Sequence, residues 1–370
     1  MTTLALAVSV WAVFAALFSL VASFRLSRLA ALREGEVAAS WPPVLLLRPM
    51  DAPTPHEVAG LASPIDYPGP LEQVVLSPFR PRLPIAVRWL WSDPLTTNRK
   101  AGHLAYALSV LPTEGRVVLS VDADVAVDGA LVKALVAPLL RGAALATTAW
   151  VPTVTGGWGA RALRALLLHT HHSFLALHVM SAGAKSISGK AMGLGAAAQR
   201  ELPHIVQHIG EDLELSRRLH EKGEPLALAL APARAPQPEG LGAPEAVARV
   251  ARWQRVLKAH RPSLYPSVPL LFAPSLPLLA LALFTNALPA LGAVAFLFAA
   301  RTLLAARLLA LRPGEARGRW DACEWVLGEA LLLSAFVGSL RGAEVTWRGR
   351  VFRVRPGGVM EPLYFVGGGL

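Results

Sequence analysis

The stretch Val117-Val118-Leu119-Ser120-Val121-Asp122-Ala123-Asp124-Val125 decides the fold class. A short apolar run rich in valine reads as a buried strand. It ends in two acids, and ligands of open α/β sheets bind at the carboxyl ends of strands. Two carboxylates placed two apart there can share one hard cation, which in turn holds a diphosphate. An isolated D-x-D equally suits two solvated loop aspartates.

Similar apolar strands flank it at Val44–Arg48, Gln73–Ser77, Ile85–Trp91, Ala143–Trp150 and Leu226–Leu230. Helical patterns lie between them at Lys100–Leu111, Ala130–Leu140 and Asp212–Glu221. Strands alternating with helices predict an α/β sheet over about residues 40–260, with Ala231–Pro244 as a Pro/Gly-rich loop.

The ends of the chain are different. Of 370 residues, 54% are hydrophobic and only 16% charged, with mean hydropathy +0.45. Soluble domains run near about 45–50% and 25%. One cysteine, Cys323, excludes a disulfide-stapled secreted fold. Leu4–Phe24 carries no charge, and Arg25, Arg28 and Arg33 come directly after it. As a helix that run spans roughly 30 Å, one bilayer core. Basic residues after the run argue against a cleaved signal and place the middle of the chain in the cytosol.

Three further apolar candidates are Leu264–Phe284, Leu288–Leu311 and Trp325–Leu340. The first contains Pro266, Pro269, Pro274 and Pro277, which favour a kinked or re-entrant path. The second contains Arg301 and Arg307, which must snorkel or face an interior. The basic tail, 341–370, prefers the cytosol, so an even number of crossings is required where three candidates stand.

Net charge is +11, and only six of the 36 basic residues are lysine. Nucleic acid, anionic lipid and a phosphorylated substrate all suit such a chain. The most basic segments abut apolar runs, which argues against nucleic acid.

Three more groups can carry chemistry. Gly210-Glu211-Asp212 opens a helix, where acids complement the dipole, or where a carboxylate at a sheet cleft serves as a general base. Arg249-Val250-Ala251-Arg252-Trp253 precedes an apolar segment. Val250, Trp253 and Leu257 form a stripe there, so an interfacial amphipathic helix is expected, with arginines able to bind a diphosphate. Asn98-Arg99-Lys100 precedes a helix and suits either a solvated loop or a phosphate. His169, His171, His172 and His178 do not place three side chains on one helical face, so a structural or acceptor-site role is expected rather than a metal site.

The order D-x-D, E-D, R-x-x-R-W, then membrane segments resembles the D, D, D, (Q/R)-x-x-R-W glycosyltransferases, and within them bacterial members of the ceramide glucosyltransferase family. Leu47-Arg48-Pro49, Asp66-Tyr67-Pro68, Asn98-x-Lys100, Gly189-Lys190-Ala191-Met192 and the tail Thr346-Trp347-Arg348-Gly349-Arg350 through Arg353-Val354-Arg355 are similar to family segments.

The resemblance implies a Rossmann-like GT-A nucleotide-sugar domain over 40–260, anchored by a transmembrane helix at 1–25 and by membrane helices over 264–340. It implies an integral protein of the bacterial inner membrane with a cytosolic catalytic domain. The implied reaction moves glucose from UDP-glucose to the primary hydroxyl of ceramide with inversion. Asp122 and Asp124 would hold Mg²⁺ or Mn²⁺ on the UDP diphosphate, and Asp212 would be the general base. Asn98, Lys100, Asp122, Glu211, Arg249, Arg252 and Trp253 would contact substrate.

The family's first motif, an aspartate after the second strand that contacts uracil, is replaced by Ser77. Either the Ser77 hydroxyl or Asp93 takes that role, or the chain is a degenerate lipid- or partner-binding membrane protein. Other lipid acceptors, a hopanoid or a glycerolipid, keep the same chemistry. A processive polysaccharide synthase would need a polymer channel, for which three or four spans are few.

Overall fold

The computed structural model describes residues 2–31, 40–83, 87–153, 156–237, 240–312, 321–347 and 349–365. They form two compact units: Gly35–Val151, Ser181–Pro236 and Ala343–Leu370 in one, Met1–Glu34, Pro152–Met180 and Gln237–Gly342 in the other.

The first unit is built on a mixed sheet. Its strands are β1 (Val44–Pro49), β2 (Leu71–Ser77), β3 (Val87–Trp91), β4 (Val117–Val121), β5 (Leu145–Thr153), β6 (Ala191–Leu194) and β7 (Leu226–Pro236), in the order β3-β2-β1-β4-β6-β5-β7. β1 is parallel to both β2 and β4, and β2 to β3; β6 runs antiparallel to β4 and β5. This parallel-dominated sheet is consistent with a GT-A-like fold. Every residue of β1 is buried, as expected of a central parallel strand covered on both faces.

Leu45, Leu47, Val74, Leu76 and Val118 build a core with Leu104 of the helix Arg99–Val110 and Leu215 and Leu219 of the helix Glu211–Glu221. The parallel register aligns the ends of β1 and β4, so Asp51 and Asp122 leave the sheet at the same edge.

Two strands differ from expectation. β7 continues through Pro236, so Ala231–Pro236, the first part of the segment expected as a loop, is extended. β6 lies outside the expected strands: it has four residues, one of them glycine. The basic tail is also structured, as a three-stranded antiparallel sheet of β8 (Glu344–Trp347), β9 (Arg350–Val354) and β10 (Met360–Phe365).

The helix Gly129–Leu140 starts under an Asp128 cap, whose carboxylate accepts the Leu131 N–H at 2.7 Å. Gly129 lies so close to the Asp66 carbonyl that a Cβ would sit 1.6 Å from its oxygen. Backbone on both sides leaves no flexible group to yield. Gly129→Ala is therefore expected to cost at least about 3 kcal/mol, the upper end for overpacking, read as a lowered thermal midpoint.

The second unit is helical. Among the described residues, three helices are long and apolar enough to span a membrane: Thr2–Leu29, Leu288–Ala310 and Asp321–Ser339. Together they mark a membrane protein. The first turns its small residues inward, with Ala5, Val8, Ala12, Ala15 and Ala16 packed on Ala290, Val294, Leu297 and Ala300. Small residues let helices approach closely where burial from lipid gives little drive. Its large residues Leu6, Val10, Phe14 and Phe24 stay exposed.

The candidate Leu264–Phe284 does not form a long helix. It breaks into a π-helical turn at Val268–Phe272 and an 11-residue helix, Ser275–Thr285, because its prolines lack the N–H that an uninterrupted helix needs. Among the described residues, two of the long apolar helices, Leu288–Ala310 and Asp321–Ser339, then precede the tail in sequence. Arg301 faces the interior, 2.8 Å from Glu329, while Arg307 is exposed in the last turn.

The helix Ala243–His260 carries the R-x-x-R-W residues. It is packed in this unit against Trp325–Ser339 and Trp158–His169. Its buried row is Ala246, Val250 and Gln254, not the expected stripe through Trp253 and Leu257.

Candidate active site

The site at the carboxyl edge of the sheet is assembled around backbone that buried side chains hold in place. Arg48, at the end of β1, is fully buried. One of its nitrogens, Nη2, donates to the carbonyls of Asp122 (3.1 Å), Ala123 (3.0 Å) and Val125 (2.8 Å). Burial lowers the Arg48 pKa to about 10, against the opposing pull of Asp122 and Asp124. It stays charged at neutral pH and fixes the D-x-D loop. From sequence Arg48 stands only as part of a family segment; a charged residue inside an all-apolar strand is the signal that marks it.

Asn98 caps the helix Arg99–Val110. Its Oδ1 accepts the Ala101 N–H at 3.1 Å. Its Nδ2 donates to the His208 carbonyl at 2.8 Å and to Glu211 at 3.1 Å. Asn98 is buried, and Glu211 is the cluster carboxylate that it meets. Lys100, at the start of the helix, points its ammonium at Asp122 (2.8 Å), Glu211 (3.0 Å) and the Gly189 carbonyl. Lys190 bridges Asp122 (3.2 Å) and Asp124 (2.7 Å). Three carboxylates thus converge on two ammonium groups. Burial alone would raise the Asp122 pKa, but Lys100 and Lys190 hold it below the usual carboxylate value. The same contacts raise both lysines against the effect of burial.

Gly210 takes a left-handed conformation, φ +68°, that a glycine tolerates without strain. It turns the chain so that Glu211 and Asp212 begin the next helix beside Gly189, just before β6. Asp212 accepts N–H bonds from Gly189 (3.1 Å) and Leu213 (2.9 Å). Burial and the neighbouring Glu211 raise its pKa to about 6, with Lys100 and the two N–H donors opposing. Asn98, Lys100, Asp122, Asp124, Glu211 and Asp212, scattered over more than a hundred positions, therefore meet at one place.

Arg249, Arg252 and Trp253 belong to the helical unit. There Arg249 donates to Gln237 at 2.6 Å, and burial, with Arg249 beside it, lowers the Arg252 pKa.

Both expected substitutes for the missing first-motif acid have partners within the protein. Ser77 is buried; its hydroxyl donates to the Asp51 carbonyl (3.2 Å) and accepts the Phe79 N–H (3.2 Å), so it holds loops together instead of facing a ligand. Asp93 is paired with Arg99 at 2.6 Å. Arg99 also meets Asp51 at 2.6 Å. A cavity of about 450 Å³ opens beside these residues, with Asp51, Arg99 and Lys100 in its wall.

The D-x-D carboxylates supply hard oxygen donors suited to Mg²⁺ or Mn²⁺. Among the described residues no three His, Cys, Asp or Glu side chains are placed to hold a metal ion together. Two carboxylates completed by water and phosphate oxygens are the usual environment of Mg²⁺. In the structure the Lys190 ammonium takes both carboxylates, so an ion there would have to displace it.

No curated protein matches the chain. A family model, glycosyl transferase family 21, matches residues 81–360 and so takes in the D-x-D, E-D and R-x-x-R-W motifs together with most of the tail. That match covers well over half of the sequence, and the chain therefore belongs to glycosyl transferase family 21, the ceramide glucosyltransferase family, as a glycosyltransferase.

Proposed function

We propose that this glycosyltransferase moves glucose from UDP-glucose to the primary hydroxyl of ceramide, with inversion, at the bacterial inner membrane. The sheet unit would face the cytosol, since Arg25 and Arg28 come after the first apolar run and the tail is basic. Asp212 carries the reading. It is a carboxylate beside an acidic cluster, with a pKa of about 6 that suits a base working near neutrality.

In the proposed step the acceptor oxygen attacks the anomeric carbon from the face opposite the diphosphate. Its proton passes to an oxygen of Asp212. The new C–O bond forms as the bond to the diphosphate breaks, and UDP leaves with that electron pair. Lys100 places positive charge beside Asp122 and Glu211, where an anionic donor must be received. A divalent ion on Asp122 and Asp124, when bound, would neutralise charge on the leaving diphosphate. Arg249, Arg252 and Trp253 would serve the diphosphate and the acceptor, in keeping with arginine's bidentate phosphate chemistry.

Purified chain in lipid nanodiscs, given UDP-glucose, ceramide and Mn²⁺, is expected to yield β-glucosylceramide. Transfer to a hopanoid or glycerolipid, or of N-acetylglucosamine, would keep the chemistry and replace the named substrates. No product from any UDP-hexose with any lipid acceptor would refute it.

A further inference from the structure

The proposed step leaves the C-terminal sheet unused, yet that sheet is tied to the site twice. First, Trp347, Arg350 and Phe352 line the same cavity as Asp51, Arg99 and Lys100. Phe352 is buried and anchors the strand, while Trp347 and Arg350 are half-buried at the cavity. Second, the tail is hydrogen-bonded to the loop that leads into Glu211 and Asp212. The Met360 N–H donates to the Gln207 carbonyl (2.9 Å), the Ile209 N–H to the Gly358 carbonyl (2.8 Å), and His208 pairs with Val359 as a β-bridge. Gln207 in turn accepts from Thr97 at 2.6 Å, next to Asn98.

The wall chemistry is selective. Lys100 is shared between the cavity and the carboxylate cluster, so a ligand in the cavity reaches the reacting centre at that end. Arg99, Lys100 and Arg350 suit phosphate oxygens. An indole in a wall otherwise rich in charged groups suits a planar ring, because every nucleobase has a face on which an aromatic side chain can stack. The volume lies within the range of small-ligand sites.

We infer that the β8–β9 strand pair is a wall of the donor site, with the Trp347 ring against the nucleobase or ribose and the Arg350 guanidinium on the diphosphate of a nucleoside-diphosphate sugar. This rests on the reading of the chain as a nucleotide-sugar transferase. It assigns the tail a substrate contact in addition to its structural role.

The test is calorimetric titration of UDP into the full-length chain in nanodiscs, with donor and acceptor KM measured in parallel. Trp347→Ala and Arg350→Gln are each expected to weaken UDP binding and raise donor KM by about tenfold or more. The acceptor KM and thermal midpoint should hold, and Trp347→Phe should retain most of the affinity. If Trp347→Ala does not fold, Arg350→Gln and Trp347→Phe decide. Unchanged UDP affinity in the folded variants, with wild type binding UDP, overturns the inference and leaves the proposed function standing. So does a rise in acceptor KM alone. A wild-type chain that binds no nucleoside diphosphate overturns both.

Discussion

Asp212→Asn is expected to lower kcat by about 10²–10⁴-fold while leaving UDP affinity within about twofold of wild type. Asparagine keeps the size of the side chain, and its carbonyl oxygen can still accept the N–H of Gly189 or Leu213, so the fold should persist. What it loses is the ability to take a proton. The wild-type rate carries the same signature. A base must be ionised to act, and Asp212 is protonated below a pKa of about 6. The rate should therefore rise with pH through about 6 and level above it. An Asp212→Asn variant with wild-type turnover would remove the base assignment.

Lys100→Met is expected to produce the second large effect, in three coupled readouts. Glu211 keeps Asn98 and Asp122 keeps Lys190, but both lose the ammonium they share. Leaving largely buried carboxylates short of a partner should cost about 3 kcal/mol of stability, the lower end for a broken buried ion pair. UDP binding should weaken, since a cation shared by the cavity and the carboxylate cluster is gone. Lys100 also holds the Asp212 pKa down. Its removal raises that pKa further, so the acid limb of the pH–rate profile should move to higher pH. A limb that stays in place, in a variant that still turns over, would separate Lys100 from the base.

Much of the site edge is legible in the chain because its signals are local. Val117–Val121 is an unbroken run ending in acids, and the strand and its end fall where that run predicts. The helix start at Asn98 carries its own side-chain cap, and the one at Gly210 its own acids, within a turn. What is not legible depends on partners distant in sequence. Arg48 looks like an error in an apolar strand until carbonyls 74 to 77 residues away accept its nitrogen. β6 has four residues with Gly193 among them, too few to show alternation, and exists because β4 and β5 flank it.

The tail holds a hairpin signal that charge conceals. Val345 and Trp347 alternate with polar residues, and Gly349 lies in the two-residue link to β9. Five arginines there read first as a solvated basic tail. The buried face of the R-x-x-R-W helix departs from expectation for another reason. A stripe through Trp253 maximises apolar area, whereas close packing of helices selects the small Ala246 and the uncharged Gln254.

In the proposed reaction this chain builds a glycolipid by proton transfer to Asp212. The most direct measurement is mass spectrometry of lipids from cells making the wild-type chain, the Asp212→Asn chain or neither. A hexosylceramide that appears with the wild-type chain alone is the predicted result. A lipid profile identical in all three, or the same glycolipid from the Asp212→Asn chain at the wild-type level, would contradict it.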